Sequence, residues 1–280
     1  MGHLPEKNNT IEYLVVGHVT RDKVESNYIP GGTVTYSGQL AKFLGCRTSV
    51  LTSAREDYDL RPILDGIEVC KIPAEQDTIF SNIYNGNNRI QLLHSRANDI
   101  MVADVPQSWM NAEIVHLGPL TNEVDPNLID LFPNSLVGIT PQGWMRRWGD
   151  DGRVFAASFP AEETLLKKAD VTVISEEDLL DDDMYRRYIK WANILVVTQN
   201  FAGCTVYVAG EEYQIPAPPI TVVESTGAGD IFAAAFFIGL HRSGHNPIQA
   251  AEFANHVAAH SVTKTSLQEK VNAWRDVKFK

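Results

Sequence analysis

Six short apolar runs recur along the chain, each only four or five residues long. They occupy residues 13–17, 49–52, 114–117, 136–140, 171–174 and 194–198, and they are rich in valine, isoleucine and leucine. Such short runs with few polar interruptions are typical of β-strands that are covered on both faces, as in a parallel sheet. A chain built on them must also supply helices for both faces of that sheet.

Stretches with helical periodicity separate the apolar runs, for example residues 35–44, 122–132 and 183–191. This alternation predicts an α/β fold with a doubly wound, mostly parallel sheet flanked by helices. The chain has 280 residues, which suits one domain spanning 1–280.

Two hairpins interrupt the pattern. Residues 78–84 and 89–93 flank Asn85-Gly86-Asn87-Asn88, and Asn-Gly is a strong signal for a tight hairpin turn. A hairpin around 78–93 inserted in an α/β protein predicts a lid, and we expect it to form most of that lid. The second hairpin, 204–208 with 212–215, precedes a proline-rich connector at 216–219.

The formal net charge is −11, which argues against nucleic acid or an anionic membrane as a partner. Cys46, Cys70 and Cys204 lie far apart without a CxxC or metal-ligand spacing, so we expect reduced thiols. No run approaches the roughly 18 apolar residues of a membrane span. These features predict a cytoplasmic protein. A homodimer formed through the exposed lid hairpin is one expectation, although the sequence leaves the oligomeric state open.

The segment 224–230 (ESTGAGD) runs directly into ten residues without a polar side chain, 231–240. The apolar stretch predicts a helix that is buried nearly all round. Small residues in its first turn leave backbone N–H groups accessible, and with the helix dipole these favour a phosphate or a developing negative charge. The segment therefore predicts an anion site at the start of this helix.

Asp230 is out of place in a simple phosphate site, because a carboxylate repels the anion. It fits a base that takes the proton of a hydroxyl as that hydroxyl attacks a phosphoryl group. An acidic residue is also favoured at a helix N-terminus for purely structural reasons. The preceding strand and proline stretch and the apolar helix that follows favour the catalytic interpretation.

The segment 224–237 resembles the C-terminal signature of the PfkB carbohydrate kinases, which have a ribokinase-like fold. The resemblance implies that the amides of Gly227, Ala228 and Gly229 form the anion hole and that Asp230 is the catalytic base. The leading Asp of the family signature is Glu224 here. The activity implied is transfer of the γ-phosphoryl group of ATP, with Mg²⁺, to a hydroxyl of a sugar, polyol or cyclitol.

The resemblance also implies an acceptor site. Asp22 corresponds to the family residue that holds substrate hydroxyls, and Gly31 and Gly32 to the N-terminal di-glycine motif. Tyr36 stands where many relatives have a sugar-binding Asn, and Arg89 on the hairpin is a lid contact by position. The segments 175–177 (SEE) and 141–148 (PQGWMRRW) resemble the inositol-kinase-like branch, which makes a polyol or cyclitol the first expectation.

On the donor side, Thr198, Asn200 and Gly203 match the T-x-G-x-x-G nucleotide loop, with Asn200 at the first glycine. Asn tolerates left-handed backbone, so the loop is expected to survive that change. Thr226 and Asn255 are further nucleotide-binding candidates by resemblance. The basic residues at 146, 147 and 153 are either phosphate contacts or solvated surface residues.

The family motif N-x-x-E, associated with magnesium, is altered here. Either Ile174 replaces its Asn and Glu177 is the acid, or Ser175 replaces it and Asp178 is the acid; we favour Glu177. Both carboxylates can also belong simply to a helix N-terminus. These departures support a rival hypothesis, a catalytically impaired kinase-fold protein that binds a ligand or regulates a partner. The sequence also leaves open whether a monovalent cation activates the reaction.

Overall fold

The structure is a computed structural model that describes residues 10–85 and 88–274, without the side chains of residues 84–89. It contains fifteen strands and six α-helices within these ranges. The strands are β1 Tyr13–Val16, β2 Thr20–Val24, β3 Asn27–Gly31, β4 Thr48–Arg55, β5 Glu68–Ala74, β6 Thr78–Asn85, β7 Asn88–Ser95, β8 Ile114–Leu117, β9 Leu136–Ile139, β10 Arg146–Trp148, β11 Val154–Ala156, β12 Val171–Ser175, β13 Ile194–Thr198, β14 Gly203–Val208 and β15 Glu211–Pro216. The helices are α1 Thr33–Phe43, α2 Glu162–Lys168, α3 Asp182–Trp191, α4 Ala228–Arg242, α5 Pro247–Ser261 and α6 Leu267–Ala273.

Nine strands form the central sheet in the order β15-β14-β13-β12-β9-β8-β1-β4-β5. The seven strands from β13 to β5 are parallel, and the hairpin β14–β15 adds two antiparallel strands at one edge. The six apolar runs correspond to β1, β4, β8, β9, β12 and β13. The predicted mostly parallel, doubly wound sheet is therefore confirmed.

The two faces of the sheet bury two separate apolar clusters. In β1, Tyr13 and Val15 belong to one cluster and Leu14 and Val16 to the other, as the alternation of side chains along a strand requires. Helices α1, α4 and α5 cover the first face, whereas α2 and α3 cover the second. Helix α4 lies deepest, and all residues from Ile231 to Leu240 are buried.

A separate four-stranded sheet, in the order β3-β2-β6-β7, contains the hairpin predicted to be a lid, and we refer to this sheet as the lid. The β6–β7 hairpin confirms the strands predicted on each side of Asn-Gly, and the turn itself lies outside the described residues. The hairpin supplies two of the four strands of this sheet, and β2 and β3 supply the other two, so a lid made mostly of the hairpin stays a prediction. Strand β2 pairs in parallel with β6, so the two hairpins make one sheet.

The helix expected at 122–132 is also wrong. Val124 forms an isolated β-bridge with Ile100, and only a 3-10 turn at Pro126–Leu131 follows. Pro126 explains why no helix begins earlier. Proline has no backbone N–H to donate to the carbonyl four residues before it, so a helix that began at residue 122 would lack this hydrogen bond. Strand β5 and the small β10–β11 hairpin were not predicted. Within the described ranges, no helix is long and apolar enough to cross a membrane.

Glu123 joins the loops that follow β1 and β8. Its side chain is buried, and its carboxylate accepts hydrogen bonds from the amides of His18, Leu120 and Thr121 and from the Thr121 hydroxyl, at 2.6–3.1 Å. Burial would raise the pKa of Glu123, but the charge of His18 and the backbone hydrogen bonds outweigh it and lower the pKa. The carboxylate therefore fixes the loops at the carboxyl end of the sheet.

We expect Glu123→Ala to lower the free energy of unfolding by about 3–5 kcal/mol, because several buried donors lose their acceptor. Glu75→Ala, at an exposed glutamate, is the matched control and should change it by no more than about 0.5 kcal/mol. Urea unfolding followed by circular dichroism measures both. A loss for Glu123→Ala that is no larger than that of the control would contradict this role.

Candidate active site

Helix α4 begins at the carboxyl end of the central sheet, immediately after a left-handed residue. Gly227 has φ of 77°, and a Cβ there would lie 2.4 Å from the Tyr36 ring. Both the dihedral angle and the close approach of Tyr36 require glycine. The local sequence thus folds into a tight turn whose next residues open the helix.

The first turn of α4 presents backbone amides to open space. An added Cβ at Gly229 would have no neighbouring atom within 4 Å, so this side of the turn is accessible. Of the predicted anion-hole amides, that of Ala228 donates to the Ser225 carbonyl at 3.0 Å. The amides that follow lie in the first helical turn, where no carbonyl precedes them within the helix. The open side of the turn is therefore at Gly229, whereas the Asp230 carboxyl is buried.

Asp230 lies in the first turn of α4, and two residues of α1 hold it from two sides. The Thr33 hydroxyl donates to its carboxylate, and Ser37 Oγ donates to its backbone carbonyl at 3.0 Å. Burial of the carboxyl raises the pKa of Asp230 to about 6; Thr33 and the charge of Arg146 oppose this shift, and the charge of Asp22 adds to it. Although part of the residue is exposed, its carboxyl is thus held in place and is ionised at neutral pH.

The predicted acceptor residues come together around Asp230. Thr20 Oγ1 donates to Asp22 at 3.1 Å, and the absent side chain of Gly31 leaves room for the Asp22 carboxylate. Gly32 has φ of 90°, and a Cβ there would lie 2.4 Å from the His18 carbonyl, so the di-glycine is required sterically.

Tyr36 is buried against Gly227, and burial, followed by the charges of Asp22, Glu224 and Asp230, raises its pKa far above the usual value. Its hydroxyl therefore stays protonated and can act as a hydrogen-bond donor. The Arg89 side chain lies outside the described part of the chain.

A cavity of about 1410 Å³ separates the lid from the body of the protein. Asp22 and Ile29 line it from the lid, and Tyr36 and Thr226 line it from the body. Asp230 is not among its lining residues, but the charges of Asp22 and Asp230 influence each other and both act on Tyr36, so the cavity borders the region around Asp230 without enclosing it.

Three predicted donor residues form a second group at the end of β13. Thr198 Oγ1 donates to the Ile174 carbonyl at 3.3 Å, which ties β13 to β12. Asn200 has φ of 52°, so the left-handed backbone expected at this position is confirmed. Gly203 has φ of 105°, and a Cβ there would lie 2.2 Å from the Ile215 carbonyl. The loop thus keeps its glycine-like geometry.

Glu177 belongs to the same group, because Asn200 Nδ2 donates to its carboxylate at 3.1 Å. Asp178, the other candidate acid, accepts from the Ser175 amide at 3.1 Å and from Gln142 Nε2 at 2.9 Å. Asp178 therefore has a structural role, which favours Glu177 as the acid that remains exposed to a ligand.

Asn255 lies behind this group, at the Ile215 carbonyl that Gly203 also approaches. It is buried in α5, and its amide donates to the Ile215 carbonyl at 3.0 Å. Asn255 holds the end of β15 in place. We therefore expect it to affect a bound nucleotide only through the position of that strand.

Across residues 10–85 and 88–274, no group of three or more His, Cys, Asp or Glu side chains is arranged to hold a metal ion. Magnesium in phosphoryl-transfer sites is commonly held by one or two carboxylates together with the phosphates of the substrate. Glu177 fits such a partial site, and a closed cage of protein ligands is not needed for it.

Three residues that hold the site were missed by sequence reasoning: Thr33, Ser37 and Lys270. Thr33 directly follows the di-glycine, which is a local signal that could have identified it. Ser37 and Lys270 reach the 224–230 segment from distant parts of the chain, Lys270 by donating to the carbonyls of Glu224 and Thr226. No local pattern marks these two residues.

Residues 159–274 match the family model described as pfkB family carbohydrate kinase. The chain is 32% identical over 108 residues to a 5-dehydro-2-deoxygluconokinase of Clostridium tetani, which covers 38% of this chain and 32% of that relative. It is 22% identical over 260 residues to a cytidine kinase of Thermococcus kodakarensis, covering 83% of this chain and 89% of that one. The chain thus spans about a third of the length of the relative that it matches at 32% identity.

Among solved structures, the chain resembles a pyrophosphate-dependent kinase in the ribokinase family, complexed with a pyrophosphate analog and myo-inositol. The TM-score is 0.80 at 23% identity, over 93% of this chain and 99% of that one. The chain therefore has the ribokinase-like fold. The resemblance to the PfkB family that the sequence predicts is confirmed.

Gly229→Ala and Gly227→Ala make a matched pair of tests. Gly229→Ala should fold with unchanged or slightly higher stability, since alanine is favoured over glycine inside a helix by about 1 kcal/mol. Its methyl group occupies the open side of the turn, so we expect phosphoryl transfer to fall by at least about tenfold. Gly227→Ala should instead lower the melting temperature, because its Cβ collides with Tyr36. Full activity in Gly229→Ala would exclude an anion at this turn.

Proposed function

We propose that this protein is a kinase that transfers a phosphoryl group to a hydroxyl group of a sugar, polyol or cyclitol, with Asp230 as the catalytic base. The observation that carries the proposal is the Asp230 carboxyl, with its pKa raised to about 6, beside the open first turn of α4. A base and an anion site a few atoms apart suit a reaction that removes a proton and builds negative charge together.

The acceptor hydroxyl loses its proton to the Asp230 carboxylate while its oxygen forms a bond to the terminal phosphorus of the donor. The bond from that phosphorus to the bridging oxygen breaks, and the shortened donor leaves with the electron pair. The amides of the first turn of α4 stabilise the charge on the transferred phosphoryl oxygens. Thr33 holds the carboxylate in place, and Arg146 supplies a nearby positive charge.

A polyol or cyclitol is the acceptor class that the site supports best. The Asp22 carboxylate can accept hydrogen bonds from ring hydroxyls. Tyr36 stands where many relatives have a sugar-binding Asn, and it provides a neutral hydroxyl and an aromatic face instead of the Asn side-chain amide. The structural likeness to a kinase complexed with myo-inositol supports the same class. We propose that the lid strands β2 and β3, rather than the hairpin alone, cover the acceptor.

Magnesium would be held by Glu177 together with donor phosphates, and it would neutralise charge on those phosphates. The Asn200 amide orients the Glu177 carboxylate through the 3.1 Å hydrogen bond. Thr198, Gly203 and Thr226 are proposed to line the donor side, and Asn255 to position it from behind.

MgATP is the proposed donor, because the loop at Thr198–Gly203 keeps the backbone geometry of a nucleotide loop. Pyrophosphate is a second candidate donor. It is favoured by the structural likeness to a pyrophosphate-dependent kinase and by Arg146 close to the base. The two donors share the terminal phosphoryl group, so the chemistry at Asp230 is the same for both.

The decisive experiment measures phosphorylated product from MgATP and from magnesium pyrophosphate across a panel of sugars, cyclitols and nucleosides. We expect acceptor-dependent turnover with one donor and a loss of about 100-fold or more in Asp230→Asn, because the base is gone. The variant should be at least as stable as wild type at pH 7, because it removes a buried carboxylate, and it should retain donor binding by calorimetry. Asp150→Asn, at an exposed site, is the matched control and should keep full activity.

Donor binding without turnover for any acceptor would point instead to the rival hypothesis, a kinase-fold protein that binds without catalysis. Equal activity of Asp230→Asn and wild type would remove Asp230 from the mechanism.

The pH dependence gives an independent test. Since the pKa of Asp230 is raised to about 6, the carboxyl is protonated below that pH and cannot accept the hydroxyl proton. We expect kcat/KM to fall about tenfold per pH unit below an inflection near pH 6. This decrease below pH 6 should be absent from the pH profile of the residual activity of Asp230→Asn. Recovery of activity on return to pH 7 shows that the protein stayed folded, and a flat profile down to pH 5 would contradict the assignment.

A further inference from the structure

A buried ammonium group lies directly behind the turn that opens α4. Lys270, in α6, has only 1% of its surface exposed. Its Nζ donates to the Thr226 carbonyl at 2.7 Å and to the Glu224 carbonyl at 3.1 Å, and it lies 3.0 Å from Glu224 Oε2. A buried charge is strongly unfavourable unless protein groups replace its hydration shell. Here three oxygens of one short segment do so.

All three oxygens belong to the 224–229 loop, which leads into the anion-binding turn. Glu224 Oε1 also accepts from the Thr226 amide at 2.6 Å, so the ammonium, the carboxylate and the amide form a closed set of contacts. Partial burial would raise the pKa of Glu224, but hydrogen bonds from Thr226 and Lys270 outweigh it and lower the pKa. Glu224 is therefore ionised, and it complements the ammonium.

The lysine is held rigidly from its own side. A capping box between Ser266 and Glu269 fixes the start of α6, and the ring of Trp274 packs edge-on against Phe43 at 5.7 Å just beyond its end. The ammonium also lies 5.9 Å from the centroid of the Tyr36 ring, the ring that covers Gly227. A displacement of Lys270 would consequently disturb both the loop and the residue packed on the turn.

We propose that Lys270 is a positioning residue whose ammonium acts as a built-in monovalent cation for the 224–229 loop, so that catalysis needs no added alkali-metal ion. Carbonyl oxygens are ligands that replace the hydration shell of an alkali cation. In this chain those oxygens are already bound to a tethered ammonium. The catalytic consequence rests on the proposed kinase function, whereas the effect on the loop does not.

Loss of the ammonium leaves two carbonyls and the partly buried Glu224 carboxylate together without a counter-charge. We expect the loop to relax and the first turn of α4 to shift. Because that turn acts on charge that develops in the transition state, kcat should fall more than the KM of the acceptor rises.

Two variants separate charge from volume. Lys270→Ala removes the ammonium and leaves space for a small cation, whereas Lys270→Met removes the charge and fills most of the space. A shift of this kind can lower kcat by about 10- to 100-fold. In Lys270→Ala, potassium, ammonium or methylammonium should restore part of the activity at constant ionic strength, and tetramethylammonium, which is too large, should not. Lys270→Met should not be rescued, and Lys264→Ala, at an exposed lysine nearby, should behave as wild type.

The wild-type protein provides a test that requires no variant. Its turnover should be the same in potassium, sodium, caesium and tetramethylammonium salts. Clear stimulation of wild type by potassium would overturn the proposal, because the oxygens would then be open to a free ion. Unchanged kcat in Lys270→Ala would overturn it as well.

Hydrogen exchange of the 224–230 segment distinguishes this inference from the proposed function. Exchange should be faster in Lys270→Ala than in wild type and should slow again with potassium or ammonium, whether or not any acceptor is phosphorylated. Absence of turnover in wild type would sink the kinase proposal alone, and identical exchange in variant and wild type would sink the role of Lys270. Should Lys270→Ala fail to fold, refolding that depends on potassium or ammonium would support the role, and refolding that ignores both ions would overturn it.

Discussion

The burial of α4 is the constraint on which the rest of the structure depends. From Ile231 to Leu240 no side chain is more than 3% exposed, so the helix packs against the sheet and against α1 and α5. The fit is close: a Cβ at Gly138 in β9 would lie 2.4 Å from the Phe237 ring. A helix fixed in this way can place its N-terminus in only one position. That position is the carboxyl end of the parallel strands, where α/β sheets commonly bind their ligands.

The fold was predictable where burial imposes a pattern on the sequence. Strands such as β1 and β13 are covered on both faces and therefore appear as apolar runs, and α4 appears as a helix for the same reason. The lid strand β2 reads Thr-Arg-Asp-Lys-Val, and its exposure increases along its length, so no apolar period marks it. The 122–132 segment carries helical periodicity, but Pro126 and the bridge of Val124 to Ile100 override that local preference.

The candidate site likewise contains residues that a local sequence pattern marks and residues that no local pattern marks. Asp230 and the glycines at the start of α4 could be predicted as site residues because they lie in one continuous segment. The residues that hold Asp230, namely Thr33 and Ser37, and the lysine behind the loop come from distant elements, and only the packing of α1 and α6 on α4 brings them together. A single sequence carries no signal for such contacts when the residues are ordinary polar types that would serve equally well on the surface.

The ionised Asp230 carboxylate lowers the stability of the folded state. A carboxyl whose pKa rises on folding binds its proton more tightly in the native state, so folding stability declines as the pH increases from the unfolded value, near 4, to about 6. Above that range the cost is fully present, and for a shift of this size it is about 3 kcal/mol. The desolvation that causes it also makes Asp230 a stronger base while leaving it ionised at neutral pH. The packing of α4 offsets this loss of stability. The charge of Lys270 stabilises the Glu224 carboxylate, so Glu224 does not destabilise the native state further. The native state is therefore less stable at neutral pH because the Asp230 carboxylate is both charged and poorly solvated, which are the properties that the proposed base requires.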